Sequence, residues 1–204
     1  MFFINIATED ELSEAIGVKI VSECIPEFSV HLKLRKSGFG YLKKKLSVFC
    51  EIAKREPVLL ITDLDQSRCP SALIASWMVD VKPPQDFIFR VAIREIESWL
   101  LADQRAIRKI IGAQASTLPR NLDDIDNPKD LLLRLVERGA ARDVKRDLLI
   151  KRGEVAAQGL GYNDRLCKHI EAEWNPERAA QRSDSLERML RRLKELRTRL
   201  VKET

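Results

Sequence analysis

The chain has 204 residues, of which 45% are hydrophobic and 33% are charged, with a formal net charge of +5. This balance is typical of a folded globular protein, and no apolar run is long enough to span a bilayer. The four cysteines are scattered without a Cys-x-x-Cys pair, which argues against a zinc cluster and a disulfide framework. Because the first residues lack the features of a signal peptide, a cytoplasmic location is expected.

Strand and helix patterns alternate over the first half of the chain. Strands are predicted at 2–7, 28–34, 58–65 and 86–92. Helices are predicted to follow them at 12–24, 41–55, 71–78 and 93–103. Thr8 is expected to cap the first helix, in a capping box with Glu11. This order predicts an α/β domain over residues 1–105, with a mainly parallel four-stranded sheet flanked by helices.

Residues 106–204 contain no convincing strand and are predicted to form a helical extension packed on that domain. A loop is predicted at 159–164, where Tyr162 either covers a site or belongs to a structural turn. The last helix, from about residue 185, carries one apolar stripe: Leu186, Met189, Leu190, Leu193, Leu196 and Leu200. Such a stripe usually packs on its own domain, and pairing in a homodimer is the alternative.

Two carboxylates follow the apolar run at 58–61. A strand of period 2 places Asp63 and Asp65 on one face at its carboxyl end. Two like charges that close repel each other unless a cation neutralises them, and hard carboxylate oxygens suit Mg²⁺ or Mn²⁺. The alternative is a buried strand whose exit residue, Asp65 or Ser67, simply caps the next helix.

Acidic residues also follow two other predicted strands. Glu9 and Asp10 come after the first strand, and Glu95 and Glu97 come after the fourth. Because the carboxyl ends of parallel strands lie at one edge of a sheet, the three sets of acids are expected to converge there. Such a cluster is costly unless something positive lies among its members. The sequence therefore predicts a metal site at this edge.

A basic segment lies close in sequence to these acids. Residues 31–56 contain eight lysines and arginines against two glutamates. Such a segment suits the phosphate backbone of DNA or RNA, and Lys36 and Lys43 are the candidates for that contact. For the lysines at 43–45, a solvated helix face is the alternative that we favour.

Several segments resemble a bacterial TOPRIM-related family, namely 6–15, 38–43, 62–66, 94–103 and 161–163. The Glu-x-Glu-x-Trp-Leu-Leu-Ala-Asp block at 95–103 is the most specific of them. More widely, the pattern resembles the TOPRIM domain of topoisomerases, primases and overcoming-lysogenization-defect nucleases. The resemblance implies a TOPRIM-like fold, with a glutamate and an Asp-x-Asp that bind divalent metal for phosphodiester chemistry. By analogy it also implies an ABC-type ATPase partner in phage defence.

One departure from the TOPRIM pattern leaves the catalytic acid open. The usual glutamate is followed directly by glycine, whereas Glu9 is followed by Asp10, and Glu14 lies one turn further on. The predicted site therefore comprises six carboxylates and two lysines: Glu9, Asp10, Glu14, Asp63, Asp65, Glu97, Lys36 and Lys43. In this hypothesis the acids hold Mg²⁺ or Mn²⁺ or act as general base, and a lysine steadies the phosphate.

Two other functions fit parts of the pattern. A TOPRIM-like module that no longer cuts could bind an ATPase or a nucleic acid, since fold does not fix function. A haloacid-dehalogenase-type phosphatase also carries an Asp-x-Asp after a strand. That family resembles this chain only at 63–65, and Gln66 and Ser67 replace the residues expected next.

Overall fold

The structure, a computed structural model, describes residues 1–35, 39–150 and 158–202. Its sheet has four strands: β1 (Phe2–Thr8), β2 (Phe28–Arg35), β3 (Val58–Asp63) and β4 (Phe87–Ala92). All neighbouring strands are parallel, in the order β2-β1-β3-β4. The carboxyl ends of β1, β3 and β4 therefore lie side by side at one edge. The predicted α/β fold with a parallel four-stranded sheet is confirmed.

Helices flank this sheet and form the second half of the chain. Those of the first half are α1 (Glu11–Cys24), α2 (Phe39–Lys44), α3 (Leu46–Ile52) and α4 (Pro70–Trp77). The later ones are α5 (Glu97–Ala102), α6 (Gln104–Ile111), α7 (Pro128–Gly139), α8 (Arg142–Leu148), α9 (Tyr162–Glu173), α10 (Pro176–Ala180) and α11 (Asp184–Lys202). Short 3-10 helices lie at Gly112–Thr117 and Leu122–Asp124.

The strands send alternate side chains into two hydrophobic layers. Leu59 and Ile61 belong to the larger layer, which they share with α1 and the C-terminal helices. Val58 and Leu60 belong to the smaller layer, formed with α2, α3 and α4. Because side chains alternate along a strand, Asp63 lies on the same face as Leu59 and Ile61. The last residue of β3 is thus directed toward the C-terminal helices.

The first helix is capped differently from the prediction. β1 extends through Thr8, and α1 begins only at Glu11. Asp10 is the cap, and its Oδ1 accepts the backbone N–H of Ser13 at 2.8 Å. The predicted capping box between Thr8 and Glu11 is therefore wrong, because Thr8 still belongs to the strand and the cap lies two residues further along the chain.

Other element boundaries also differ. β3 ends at Asp63 and not at 65, and the predicted helix at 41–55 is divided at Lys45 into α2 and α3. The predicted loop at 159–164 is shorter than expected, because α9 begins at Tyr162. These differences matter because they change which side chains reach the carboxyl edge of the sheet.

The stripe of α11 packs on its own chain, as expected. Leu186, Leu193 and Leu196 are buried in the same layer as Ile4 of β1. This contact confirms intramolecular packing as the use of the stripe. The boundary between the two predicted domains, near residue 105, stays a prediction.

The block at 95–103 joins the helical extension to the sheet. Trp99 is fully buried, its Nε1 donates to Ser185 Oγ at 2.8 Å, and its carbonyl accepts from Trp174 Nε1 at 3.0 Å. Asp103 is buried at 1% exposure and pairs with Arg178 at 2.6 Å. Much of the most specific sequence block therefore serves packing, and Trp99 belongs to the hydrophobic core.

Within the described ranges, no helix has the length and apolar character needed to cross a membrane.

All four cysteines are free thiols. Cys24 and Cys50 are buried, as expected for packing residues, whereas Cys69 and Cys167 are half-buried.

Candidate active site

Five carboxylates gather at the carboxyl edge of the sheet, around Asp63. One oxygen of this residue, Oδ1, is buried and has no hydrogen-bond partner in the part of the chain that the structure describes. Burial raises the pKa of Asp63 well above its ordinary value. The negative charges of four neighbours raise it further: Glu97, Glu9, Asp10 and Asp65. The edge therefore brings together acids that follow three different strands.

Glu9 joins the end of β1 to the end of β3. Its Oε1 accepts the hydroxyl of Thr62 and the backbone N–H of Asp63, the latter at 3.2 Å. Burial raises the pKa of Glu9 above its ordinary value, while these two hydrogen bonds oppose the rise. A carboxylate held in this way is oriented toward Asp63 and is a stronger proton acceptor than an exposed glutamate.

Glu97 is the most buried acid of the group, with 5% of its surface exposed. It opens α5, and its Oε1 accepts the hydroxyl of Tyr162 at 2.7 Å. Burial raises the pKa of Glu97 to about 7, although the Tyr162 hydrogen bond and the charge of Lys129 oppose this rise. The partner hydroxyl comes from α9, so the helical extension contributes directly to the site.

Asp65 lies in a strained turn just beyond β3. Asp65 and Arg94 both have left-handed backbone conformations, with φ of 48° and 60°. The N–H of Asp65 donates to the carbonyl of Arg94 at 2.9 Å, and the guanidinium of Arg94 donates to the carbonyl of Asp65 at 3.0 Å. Non-glycine residues rarely adopt this conformation, and such strain concentrates at functional sites. Thus Asp65 reaches the cluster from a turn, and the period-2 argument that placed it there is wrong.

Two other acids predicted nearby are held by different partners. Glu14 pairs with Arg35 at 2.9 Å and with Lys33 at 3.4 Å. Glu95 Oε2 accepts the backbone N–H of Lys129 at 2.8 Å, at the start of α7. Both carboxylates are thereby engaged in contacts that position β2 and α7.

Of the two predicted phosphate-binding lysines, the structure describes one. Lys36 lies outside the described residues. Lys43 is exposed in the last turn of α2, which agrees with a solvated helix face. Their assignment as nucleic-acid contacts stays a prediction.

The carboxylates of the cluster suit a divalent cation chemically, but their side chains are not placed to share one ion. Carboxylate oxygens are the ligands that Mg²⁺ and Mn²⁺ prefer, and a cation would supply the partner that Asp63 Oδ1 lacks among the described residues. Nevertheless, in residues 1–35, 39–150 and 158–202, no three acid, cysteine or histidine side chains are placed to share one ion. Glu9 and Glu97 are turned toward Thr62 and Tyr162. One oxygen of each of these two carboxylates, Oε1, is thus engaged by a hydroxyl group.

Sequence reasoning missed several groups at this edge. Thr62, Lys129 and Ser98 were not singled out. The hydroxyl oxygen of Ser98, next to Glu97, is buried and finds no partner among the residues that the structure describes. Thr62 could have been found, because it immediately precedes the Asp-x-Asp segment. Lys129 had no sequence signal, since only tertiary packing brings α7 to this edge.

No family model, curated protein or solved structure matches the chain. The TOPRIM resemblance accordingly stays a prediction, and function has to be argued from the chemistry of the site.

Proposed function

We propose that this protein is a divalent-metal-dependent nuclease that hydrolyses phosphodiester bonds of DNA or RNA at the carboxyl edge of its sheet. The observation that carries the proposal is the buried Oδ1 of Asp63, which has no partner in the described part of the chain and whose carboxyl group feels the negative charges of four other acids. A buried polar atom without a partner costs about 1–3 kcal/mol, and more when it is charged. Retaining such an atom among like charges is characteristic of a site that binds a cation.

The acids divide into ligands and a base. Asp63, Asp65 and Glu97 are the residues that would hold Mg²⁺ or Mn²⁺, with Asp10 beside them. When bound, the ion supplies a Lewis acid for the phosphoryl oxygen and a water of lowered pKa. Glu9 is suited to accept a proton from the attacking water, because burial raises its pKa toward neutrality.

The second candidate is a TOPRIM-like module that binds nucleic acid or an ABC-type ATPase without cutting. One observation favours it, namely that no three of the described acid, cysteine or histidine side chains are placed to share an ion. We also propose, from the resemblance alone, that the protein takes part in phage defence, and we propose that it is located in the cytoplasm. A homodimer formed through the stripe of α11 is not proposed, because that stripe is buried within the chain.

The test is cleavage of plasmid DNA, single-stranded DNA and RNA with Mg²⁺, with Mn²⁺ and with EDTA. Asp63→Asn keeps the shape of the side chain and removes its charge, and the exposed Asp80→Asn is the matched control. We expect divalent-dependent cleavage that falls about 100-fold or more in Asp63→Asn and is unchanged in Asp80→Asn. Equal cleavage by both variants would falsify the assignment.

Calorimetry with Mn²⁺ separates the two candidates. Binding by the parent that is weakened in Asp63→Asn supports the nuclease. A parent that binds no Mn²⁺ at millimolar concentration and cleaves none of the substrates supports the non-catalytic module.

A further inference from the structure

Lys129 lies beside the most buried acid of the site. Its backbone N–H is anchored on Glu95, and its Nζ lies 5.1 Å from the centroid of the Tyr162 ring. The hydroxyl of that ring donates to Glu97 at 2.7 Å. Two contacts therefore fix the lysine, one through its main chain and one through its side chain, next to a carboxylate of the cluster.

The charge of Lys129 acts on Glu97, but its ammonium is not in an ion pair with any acid in the described part of the chain. Its residue is half-exposed, and none of the ion pairs among the described residues, counted to 4.0 Å, includes it. Arg94, another cation at this edge, donates to the carbonyls of Asp65 and Ser67. A half-exposed lysine on an aromatic ring keeps its charge directed and available to an incoming anion.

We infer that Lys129 binds a phosphate of the nucleic-acid substrate at this site, and that Tyr162 holds its ammonium beside Glu97. The inference rests on the proposed function, because it assigns the substrate-binding cation of the same site. It gives that role to a residue of the helical extension, while the assignment of Lys36 and Lys43 stays a prediction. A metal-binding acid cluster repels a phosphodiester, and a fixed ammonium at its border offsets that repulsion.

Substrate and metal are expected to respond in opposite directions when the charge of Lys129 is removed. The anionic substrate loses an attractive partner, whereas a divalent cation loses a repulsive one close to Glu97. A variant that merely disturbs the fold would weaken both. This difference in sign separates a phosphate-binding residue from a structural one.

The experiment measures two affinities for each of four proteins: the parent, Lys129→Gln, Lys129→Arg and Lys145→Gln. Lys145 is a half-exposed lysine of α8 outside the acid cluster and serves as the matched control. Fluorescence anisotropy with a labelled single-stranded oligonucleotide, in Ca²⁺, measures substrate binding over a range of salt. Calorimetry with Mn²⁺ measures metal binding.

We expect Lys129→Gln to bind the oligonucleotide about tenfold more weakly, with the salt slope reduced by about one. Its Mn²⁺ affinity should be equal to that of the parent or tighter. Lys129→Arg should restore most of the oligonucleotide binding, and Lys145→Gln should match the parent.

Failure of the inference and failure of the proposed function give different results. The inference is overturned if Lys129→Gln binds the oligonucleotide as tightly as Lys145→Gln does. It is also overturned if the parent binds no oligonucleotide, or if Lys129→Gln binds both the oligonucleotide and Mn²⁺ more weakly than the parent. A parent that binds the oligonucleotide through Lys129 but binds no Mn²⁺ leaves the inference standing and removes the nuclease.

Discussion

Two buried carboxylates in this protein have opposite surroundings. Asp103 pairs with Arg178 and also accepts the backbone N–H groups of Ala106 and Asn175. Asp63 has a buried oxygen without a partner among the described residues, and the charges that raise its pKa are those of other carboxylates. The first arrangement satisfies a charge and stabilises the fold, whereas the second concentrates unsatisfied charge. Burial of an acid is therefore not by itself a sign of function. The hydrogen-bonding and charged neighbours of the acid indicate whether it stabilises the fold or belongs to a functional site.

The largest expected effect on stability is at the satisfied carboxylate. Asp103→Asn should lower the free energy of unfolding by about 3 kcal/mol, because it leaves the guanidinium of Arg178 without its charge partner. Breaking a buried ion pair usually costs about 3–5 kcal/mol of stability. The lower value applies here because 37% of the Arg178 side chain is exposed. Urea unfolding measures this loss, with Asp80→Asn as the control. A loss below about 1 kcal/mol would remove Asp103 from its structural role.

The pH dependence of stability sharpens the contrast. The pKa of Glu97 is about 7 in the folded protein and near 4.5 when unfolded. As pH rises between these values the unfolded chain loses its proton first, so stability falls by about 3 kcal/mol and the loss is complete above pH 7. In EDTA, Glu97→Gln should lose this contribution, so that its free energies of unfolding at pH 4.5 and 8 differ by about 3 kcal/mol less than those of the parent, while the raised pKa values of Asp63 and Glu9 still contribute. The control is Glu137→Gln, at an exposed position of α7, which should behave as the parent does.

Neutralising the unsatisfied carboxylate should have the opposite sign to neutralising Asp103. Asp63→Asn in EDTA should raise the free energy of unfolding at pH 8 by about 1–2 kcal/mol, because it removes a buried charge repelled by its neighbours. The measurement is urea unfolding of parent and variant at that pH. If Asp63→Asn is destabilised as strongly as Asp103→Asn, then the charge of Asp63 stabilises the fold and is not an unsatisfied charge.

The smallest effect is expected at the contact between the helical extension and the site. Tyr162→Phe removes the hydroxyl that donates to Glu97 and should cost about 1 kcal/mol of stability. It should also raise the pKa of Glu97, since that hydrogen bond opposes the rise due to burial. Titration of the Glu97 carboxyl followed by NMR checks the direction. An unchanged pKa would mean that the tyrosine does not orient this acid.

Much of the framework could be predicted because it depends on local patterns. Alternating apolar runs and helix periodicity lead to the four parallel strands and to the buried stripe of α11. Parallel strands also bring their carboxyl ends to one edge, which is why Glu9, Asp63 and Glu97 were expected together. Boundaries were less predictable, since the end of β3 and the cap of α1 depend on backbone geometry that residue types only bias.

The partners of each acid were decided by tertiary packing. Glu14 and Glu9 are both glutamates near the start of α1, yet one pairs with Arg35 and the other accepts from Thr62. Tyr162 and Lys129 reach the edge only because α7 packs against α5 and α9 packs against α1. A side chain's charge is a property of the residue, whereas its burial and neighbours come from elements distant in sequence. The amino-acid order alone thus determined the strands, the helices and the acids at the sheet edge, while the folded chain decided which acids are neutralised and which stay unsatisfied.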